Sequence, residues 1–158
     1  AAADRYIHLY PQGPHTDYAY YMKGVINFDR SKHWFQKWHP VTTEQRDLAY
    51  MQQAFVDFND LLSLFPHSIY AKDAYEHMLS VRNYLAQHEL NVANFYFMRK
   101  AYVAAANRAG YIVKHYPGAP QTFAALKVMY KSYLELGAQD QANDTLRIIK
   151  LNYPREKI

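Results

Sequence analysis

The 158-residue chain contains no cysteine. That excludes disulfides, zinc–thiolate sites and cysteine nucleophiles, and it leaves the compartment open. Glycine is scarce, with 5 residues, too few for the many tight turns of an all-β fold, so helices are expected. No apolar run approaches the ~20 residues of a membrane-spanning helix. No block of lysine and arginine resembles a nucleic-acid-binding arm, and a net charge of +4 serves solubility more than recognition. The sequence has no HExxH, no G-x-S-x-G, no phosphate loop and no dinucleotide-binding glycines. With no acid, base and nucleophile brought together, neither catalysis nor a cofactor is expected. No signal peptide is visible. The opening "AAADRYIHLYP" reads as the end of a helix, so a chain shortened at its N-terminus is expected.

Aromatic residues are abundant. Sixteen tyrosines in a chain that is half hydrophobic indicate a folded protein with many half-buried surfaces, because tyrosine combines apolar area with a hydroxyl. Four aromatic–proline pairs punctuate the sequence: Tyr10-Pro11, Phe65-Pro66, Tyr116-Pro117 and Tyr153-Pro154. Apolar or small residues stand at fixed offsets before each proline. Tyr153, Ile149, Leu146 and Ala142 precede Pro154; Tyr116, Ile112, Ala109 and Ala105 precede Pro117. Phe65, Leu61, Phe58 and Ala54 precede Pro66, and Tyr10, Tyr6 and Ala3 precede Pro11. Steps of four, three and four residues place each set on one helix face. The proline then stops the helix, since it lacks an N–H and restricts the residue before it.

Each such helix needs a partner after its turn. The clearest partner is 122–136, with an apolar stripe of Leu126, Met129, Tyr130 and Tyr133, closed by Gly137, with Asp140 opening the helix that follows. The helix pair fits the tetratricopeptide pattern through Leu126, Met129, Tyr130, Tyr133, Ala142, Leu146 and Pro154. An earlier copy fits through Val92, Ala93, Tyr96, Ala105, Ala109 and Pro117. The expected fold is an all-α tetratricopeptide-repeat solenoid of stacked antiparallel helix pairs. It forms one domain over 1–158 with about four repeats, the first partial. The prolines lie 55, 51 and 37 residues apart. The excess in the middle interval is close to four helical turns at ~3.6 residues each, so 68–98 is predicted as one long helix capped by Ser68. The excess in the first interval is predicted as a loop, "DRSKHWFQKWHPVT", followed by a capping box of Thr42 and Gln45.

Three segments carry a closer resemblance: "HTDYAYYMKG" (His15–Gly24), "AFVDFNDLLSLFPHSIYAKDA" (Ala54–Ala74) and "AYVAAANRAGYIVKHYPGAPQTFAAL" (Ala101–Leu126). With them nearly the whole chain resembles the BamD (ComL) family, the tetratricopeptide lipoproteins of the outer-membrane β-barrel assembly machinery of Gram-negative bacteria. The resemblance implies a non-catalytic scaffold at the periplasmic face of the outer membrane. Its membrane contact would be an N-terminal lipidated cysteine that this sequence does not contain. Implied partners are the periplasmic domain of the BamA-like barrel-forming subunit, a BamC-like lipoprotein and the C-termini of unfolded outer-membrane proteins, with no nucleic acid. Other readings are a periplasmic repeat adaptor of the Tol-Pal type, which usually spaces its repeats more regularly, and a nucleic-acid binder suggested by the basic pI and two tryptophans.

Candidate sites follow. The resemblance implies that Arg108 contacts the barrel-forming subunit through an acidic group, with Asn107, Tyr111 and Lys114 beside it. A guanidinium suits that task because it binds a carboxylate at two points. An internal salt bridge is the plainer reading of Arg108, and a solvated face the plainer reading of Lys114, Arg147 and Lys150. Tyr18, Tyr21, Lys23 and Asn27 share one helix and are candidates for a substrate-peptide groove, whereas Tyr20 and Gly24 read as packing residues. Trp34, Phe35 and Trp38 lie in the predicted loop, either folded back over the helices or anchoring a partner. His33 and His39 lack a third ligand at a useful spacing, so no metal is expected.

Overall fold

The computed structural model describes residues 2–32 and 42–156, with side chains undescribed at 31, 32 and 42–47. Among the described residues there are seven helices and no strand: α1 (Ala2–Leu9), α2 (Thr16–Lys32), α3 (Thr42–Leu64), α4 (Ala71–Met98), α5 (Tyr102–His115), α6 (Thr122–Glu135) and α7 (Gln139–Asn152). They form two compact units, 1–82 and 83–158, and the division falls within α4. No described helix is long and apolar enough to cross a membrane.

Aromatic–proline turns close in one way throughout. The aromatic N–H donates to the carbonyl four residues back: Tyr10 to Tyr6, Phe65 to Leu61, Tyr116 to Ile112 and Tyr153 to Ile149, at 2.7–2.9 Å. The aromatic carbonyl then accepts from the third residue onward: Gly13, Ser68, Ala119 and Glu156 respectively. In the first three turns a second such bond follows, with Thr16, Ala71 and Thr122 as donors. These bonds satisfy carbonyls that a helix end leaves orphaned. The double turn also shifts the start of α4. Ser68 carries the second turn and its hydroxyl accepts from the Tyr70 N–H, so the helix begins at Ala71 and not directly after Ser68. A second boundary differs as well: α2 continues through Asp29–Lys32, predicted as loop, because that run holds no glycine or proline to end it.

In the first unit, α2 packs on α1 and α3. Ala54, Phe58 and Leu61 of the α3 stripe are fully buried. Phe58 is stacked on His77 (centroids 5.4 Å apart) and also lies against Gly24. A Cβ at Gly24 would come within 2.5 Å of that ring, so glycine here sets how closely α2 approaches α3. Tyr20 packs against Phe65 at 5.8 Å.

In the second unit, α5 packs on α6 and α6 on α7. The faces that meet are rich in small residues: Ala105, Ala106, Ala109 and Ile112 on α5, Ala125, Leu126 and Ser132 on α6, and Ala142, Thr145 and Ile149 on α7. Alanine adds helix propensity and lets neighbouring axes approach. The predicted partner stripe of α6 is graded: Leu126 is buried, while Met129, Tyr130 and Tyr133 are half-buried.

Helices α4 and α6 end alike. After α6, Gly137 adopts φ +67°, its N–H donates to Leu134, and the Ala138 N–H reaches back to Tyr133. After α4, Lys100 adopts φ 60°, its N–H donates to Phe97, and the Ala101 N–H reaches back to Tyr96. This paired closure asks for a left-handed residue, which glycine adopts freely and lysine against Cβ repulsion.

Two stability changes are expected in urea denaturation followed by circular dichroism. Gly24→Ala lowers stability by about 1–3 kcal/mol, because the buried ring cannot retreat and overpacking outweighs alanine's better helix propensity. Lys100→Gly raises it by about 1 kcal/mol through relief of the left-handed strain.

Candidate functional site

The two candidate surfaces lie in different units. On α5, the buried face of Ala105, Ala106, Ala109 and Ile112 turns Asn107, Arg108, Tyr111 and Lys114 outward, and all four are exposed. Tyr111 stacks on His115, one turn along, at 4.2 Å and meets Tyr116 edge-on at 5.8 Å. Asn107 lines an open hollow of about 460 Å³ together with Lys100, Ala101, Tyr102, Val103, Ala104 and Leu136.

Arg108 is not a free surface cation. Its Nη1 donates to both oxygens of Glu89, at 3.1 and 3.4 Å. Glu89 is only 5% exposed, whereas the Arg108 side chain is 49% exposed, so the pair runs from the interior to the surface. Burial raises the Tyr116 hydroxyl above its ordinary pKa, with contributions from neighbouring Tyr111 and the Glu89 carboxylate. The internal salt bridge expected as the plainer reading of Arg108 therefore exists, and it leaves half of the side chain accessible. Arg147 pairs with Asp144 at 3.1 Å, both largely solvated, a surface pair of small energetic consequence.

On α2, the candidate groove residues are drawn into two groups. Tyr21 stacks on Tyr70 at 4.9 Å with rings 17° apart, and Tyr18 meets the same ring at 5.4 Å. The Tyr21 hydroxyl donates to Asp73 at 2.6 Å. That hydrogen bond, with desolvation and the Asp73 charge, pushes its pKa up to about 12. Lys23 and Asn27 instead turn toward Asp57, a carboxylate just 1% exposed. Asn27 donates to it at 2.7 Å, Gln53 at 3.0 Å, and the Lys23 ammonium lies 3.4 Å away. Lys23 also holds Asp4 of α1 at 2.9 Å. Burial pulls the ammonium pKa down, but the Asp4 hydrogen bond and the charges of Asp57 and Asp4 outweigh it and the net shift is upward. The hydrogen bond from Lys23 holds the Asp4 carboxyl below its usual range.

Asp57 and Glu89 were both missed in the sequence, and one signal would have found them. Asp57 falls at the helical spacing of Ala54, Phe58 and Leu61; Glu89 falls among Leu85, Ala86, Leu90 and Ala93. A carboxylate on an apolar stripe must find a cation or several donors, because burying an unpaired charge costs several kcal/mol. Trp34, Phe35 and Trp38, with His33 and His39, lie outside the described residues, as do the side chains of Thr42 and Gln45. Among the described residues no group of three or more acidic or histidine side chains has metal-binding geometry.

Comparison with known proteins adds the family context. The family model described as "YfiO: Outer membrane lipoprotein" matches residues 1–148. The chain is similar to the outer membrane protein assembly factor BamD of Xylella fastidiosa, 35% identical over 98% of the chain and 53% of that protein. It is similar to the BamD of Haemophilus influenzae, 37% identical over 94% of the chain and 57% of that protein. The BamD of Neisseria meningitidis serogroup A is 34% identical, over 98% and 58%. The chain thus spans a little over half the length of these curated relatives.

The Tyr21–Asp73 bond gives a pH dependence. Between pH 10 and 12 tyrosine 21 ionises in the unfolded chain but stays protonated in the fold, so its contribution to stability is full below pH 10 and lost as pH rises toward 12. The stability difference between the parent and Tyr21→Phe, measured by urea denaturation, is expected to shrink over that window and stay constant from pH 7 to 9.

Proposed function

The chain belongs to the YfiO family of outer membrane lipoproteins, and on that premise we propose that it is a non-catalytic scaffold for the assembly and insertion of outer-membrane β-barrel proteins. The observation that carries the reading is the family match over residues 1–148, reinforced by relatives that are named assembly factors. The helix pairs suit this role, since repeat stacks present side chains from successive helices to a partner without a catalytic centre. We read the chain as one tetratricopeptide-repeat domain working at the periplasmic face of the outer membrane.

The outward face of α5, with Asn107, Arg108, Tyr111 and Lys114, is the proposed contact for the periplasmic domain of the BamA-like subunit. A BamC-like lipoprotein and the C-termini of unfolded barrel proteins are the further proposed partners. Tyr18 and Tyr21 are the α2 side chains best placed for the peptide, since their rings form an accessible cluster with Tyr70. Lys23 and Asn27 would contribute by holding α2 in place, because both are engaged with Asp57.

Calorimetric titration with the subunit's periplasmic domain tests the scaffold. Saturable binding is expected, weakened roughly thirtyfold or more by Arg108→Glu with helicity unchanged. No binding by the parent chain would overturn the scaffold reading. Equal affinity in the variant would remove Arg108 from the interface.

A further inference from the structure

The two buried carboxylates are served differently. Asp57 is met from three side chains, and its lysine is tied to a second carboxylate as well. Glu89 takes both of its Arg108 hydrogen bonds from a single nitrogen, Nη1. The Arg108 Nε and Nη2 groups donate to no described residue, and the side chain is half exposed. Those two nitrogens form the side edge of the guanidinium, whose parallel N–H bonds match the two oxygens of a carboxylate.

We propose that Glu89 is a positioning residue, which anchors Arg108 through Nη1 and so presents its Nε–Nη2 edge outward to a carboxylate of the partner. The inference rests on the reading of α5 as the contact for the barrel-forming subunit, and it adds what prepares that contact. An unanchored arginine samples many rotamers, and freezing one on binding offsets affinity. Glu89 sits on a helix face among buried Leu85, Ala86, Leu90 and Ala93, so the anchor itself is fixed by packing. The pair also sets the chemistry of the ligand. One carboxylate already neutralises the inner side of the guanidinium, leaving room at the outer edge for one acidic side chain, bound side-on. A lysine at position 108 would keep the charge without offering that edge.

The test compares the parent, Glu89→Gln, Glu89→Asp and Arg108→Lys, with the two Glu89 variants also made in an Arg108→Ala background. Affinity for the subunit's periplasmic domain is measured by calorimetry, and order of the Arg108 Nε–H by ¹⁵N NMR of the free chain. Glu89→Gln is expected to weaken binding about five- to tenfold, with the Arg108 Nε–H signal losing its order. It should have no further effect once Arg108 is alanine. Glu89→Asp keeps the charge but draws the anchor inward, and is expected to weaken binding while folding as the parent does. Arg108→Lys is expected to fall as far as Arg108→Ala. Unchanged affinity in Glu89→Gln and Glu89→Asp, or losses that simply add to those of Arg108→Ala, would reduce Glu89 to a structural tie and overturn the proposal. If the parent does not bind, the scaffold reading fails, and the NMR arm still decides: an Arg108 Nε–H equally ordered in Glu89→Gln overturns the positioning role.

Discussion

A proline's missing N–H decides where α1, α3, α5 and α7 end. The backbone that runs into each aromatic–proline pair must find other partners for its last carbonyls, and all four turns find them among the same backbone positions. The aromatic N–H completes the final helical bond, and its carbonyl turns the chain back within three residues. Nothing in that scheme requires a particular side chain after the proline, so Gly13, Ser68, Ala119 and Glu156 serve alike as donors. In α3, α5 and α7 the side chains before it are constrained instead, because much of the stripe is buried; α1, with no buried residue, carries no such constraint. Ala54, Ala105, Ala109 and Ala142 of those stripes are fully buried, and so small a side chain lets a neighbouring helix approach.

Within this framework, among the described residues, each unit carries one carboxylate that an apolar face has forced inside. The two solve the desolvation problem with different geometry. Asp57 gathers amides and a lysine from two helices and becomes a closed knot between α2 and α3. Glu89 reaches one arginine whose other end lies in solvent. The first arrangement makes structure, since both oxygens of Asp57 are engaged from within the fold. The second leaves donors unspent, which is what a recognition surface needs.

Much of the architecture was legible from periodicity alone. The offsets before Pro66 and Pro117 identify Ala54, Phe58 and Leu61 of α3 and Ala105, Ala109 and Ile112 of α5 as buried, though not Met51, Asp57 or Ala106 beside them, and Gly137 marks the end of α6. The two misplaced boundaries share a cause. Local signals set them by the nearest polar or capping residue, whereas Ser68 spends its capping capacity on a turn and Asp29–Lys32 contains nothing that ends a helix. The site was less legible. Arg108, Tyr111 and Lys114 fall on the outward face that spacing predicts for them. The engagement of Lys23 and Asn27 with Asp57, 30 or more residues away, is a tertiary fact that no local pattern carries. Lys100 shows the same limit, for nothing in its neighbourhood announces a left-handed lysine where glycine fits best.

Helix α1 has no buried residue, and it meets α2 through Lys23–Asp4 and the turn at Tyr10. The Asp4 carboxylate is half exposed while Asp57, on the other side of the same ammonium, is sealed from solvent. Dissolved ions therefore reach one half of this three-membered array and not the other. Rising ionic strength would loosen the hold on α1 while leaving the α2–α3 junction intact, so one lysine divides the first unit into a salt-sensitive edge and a salt-indifferent body.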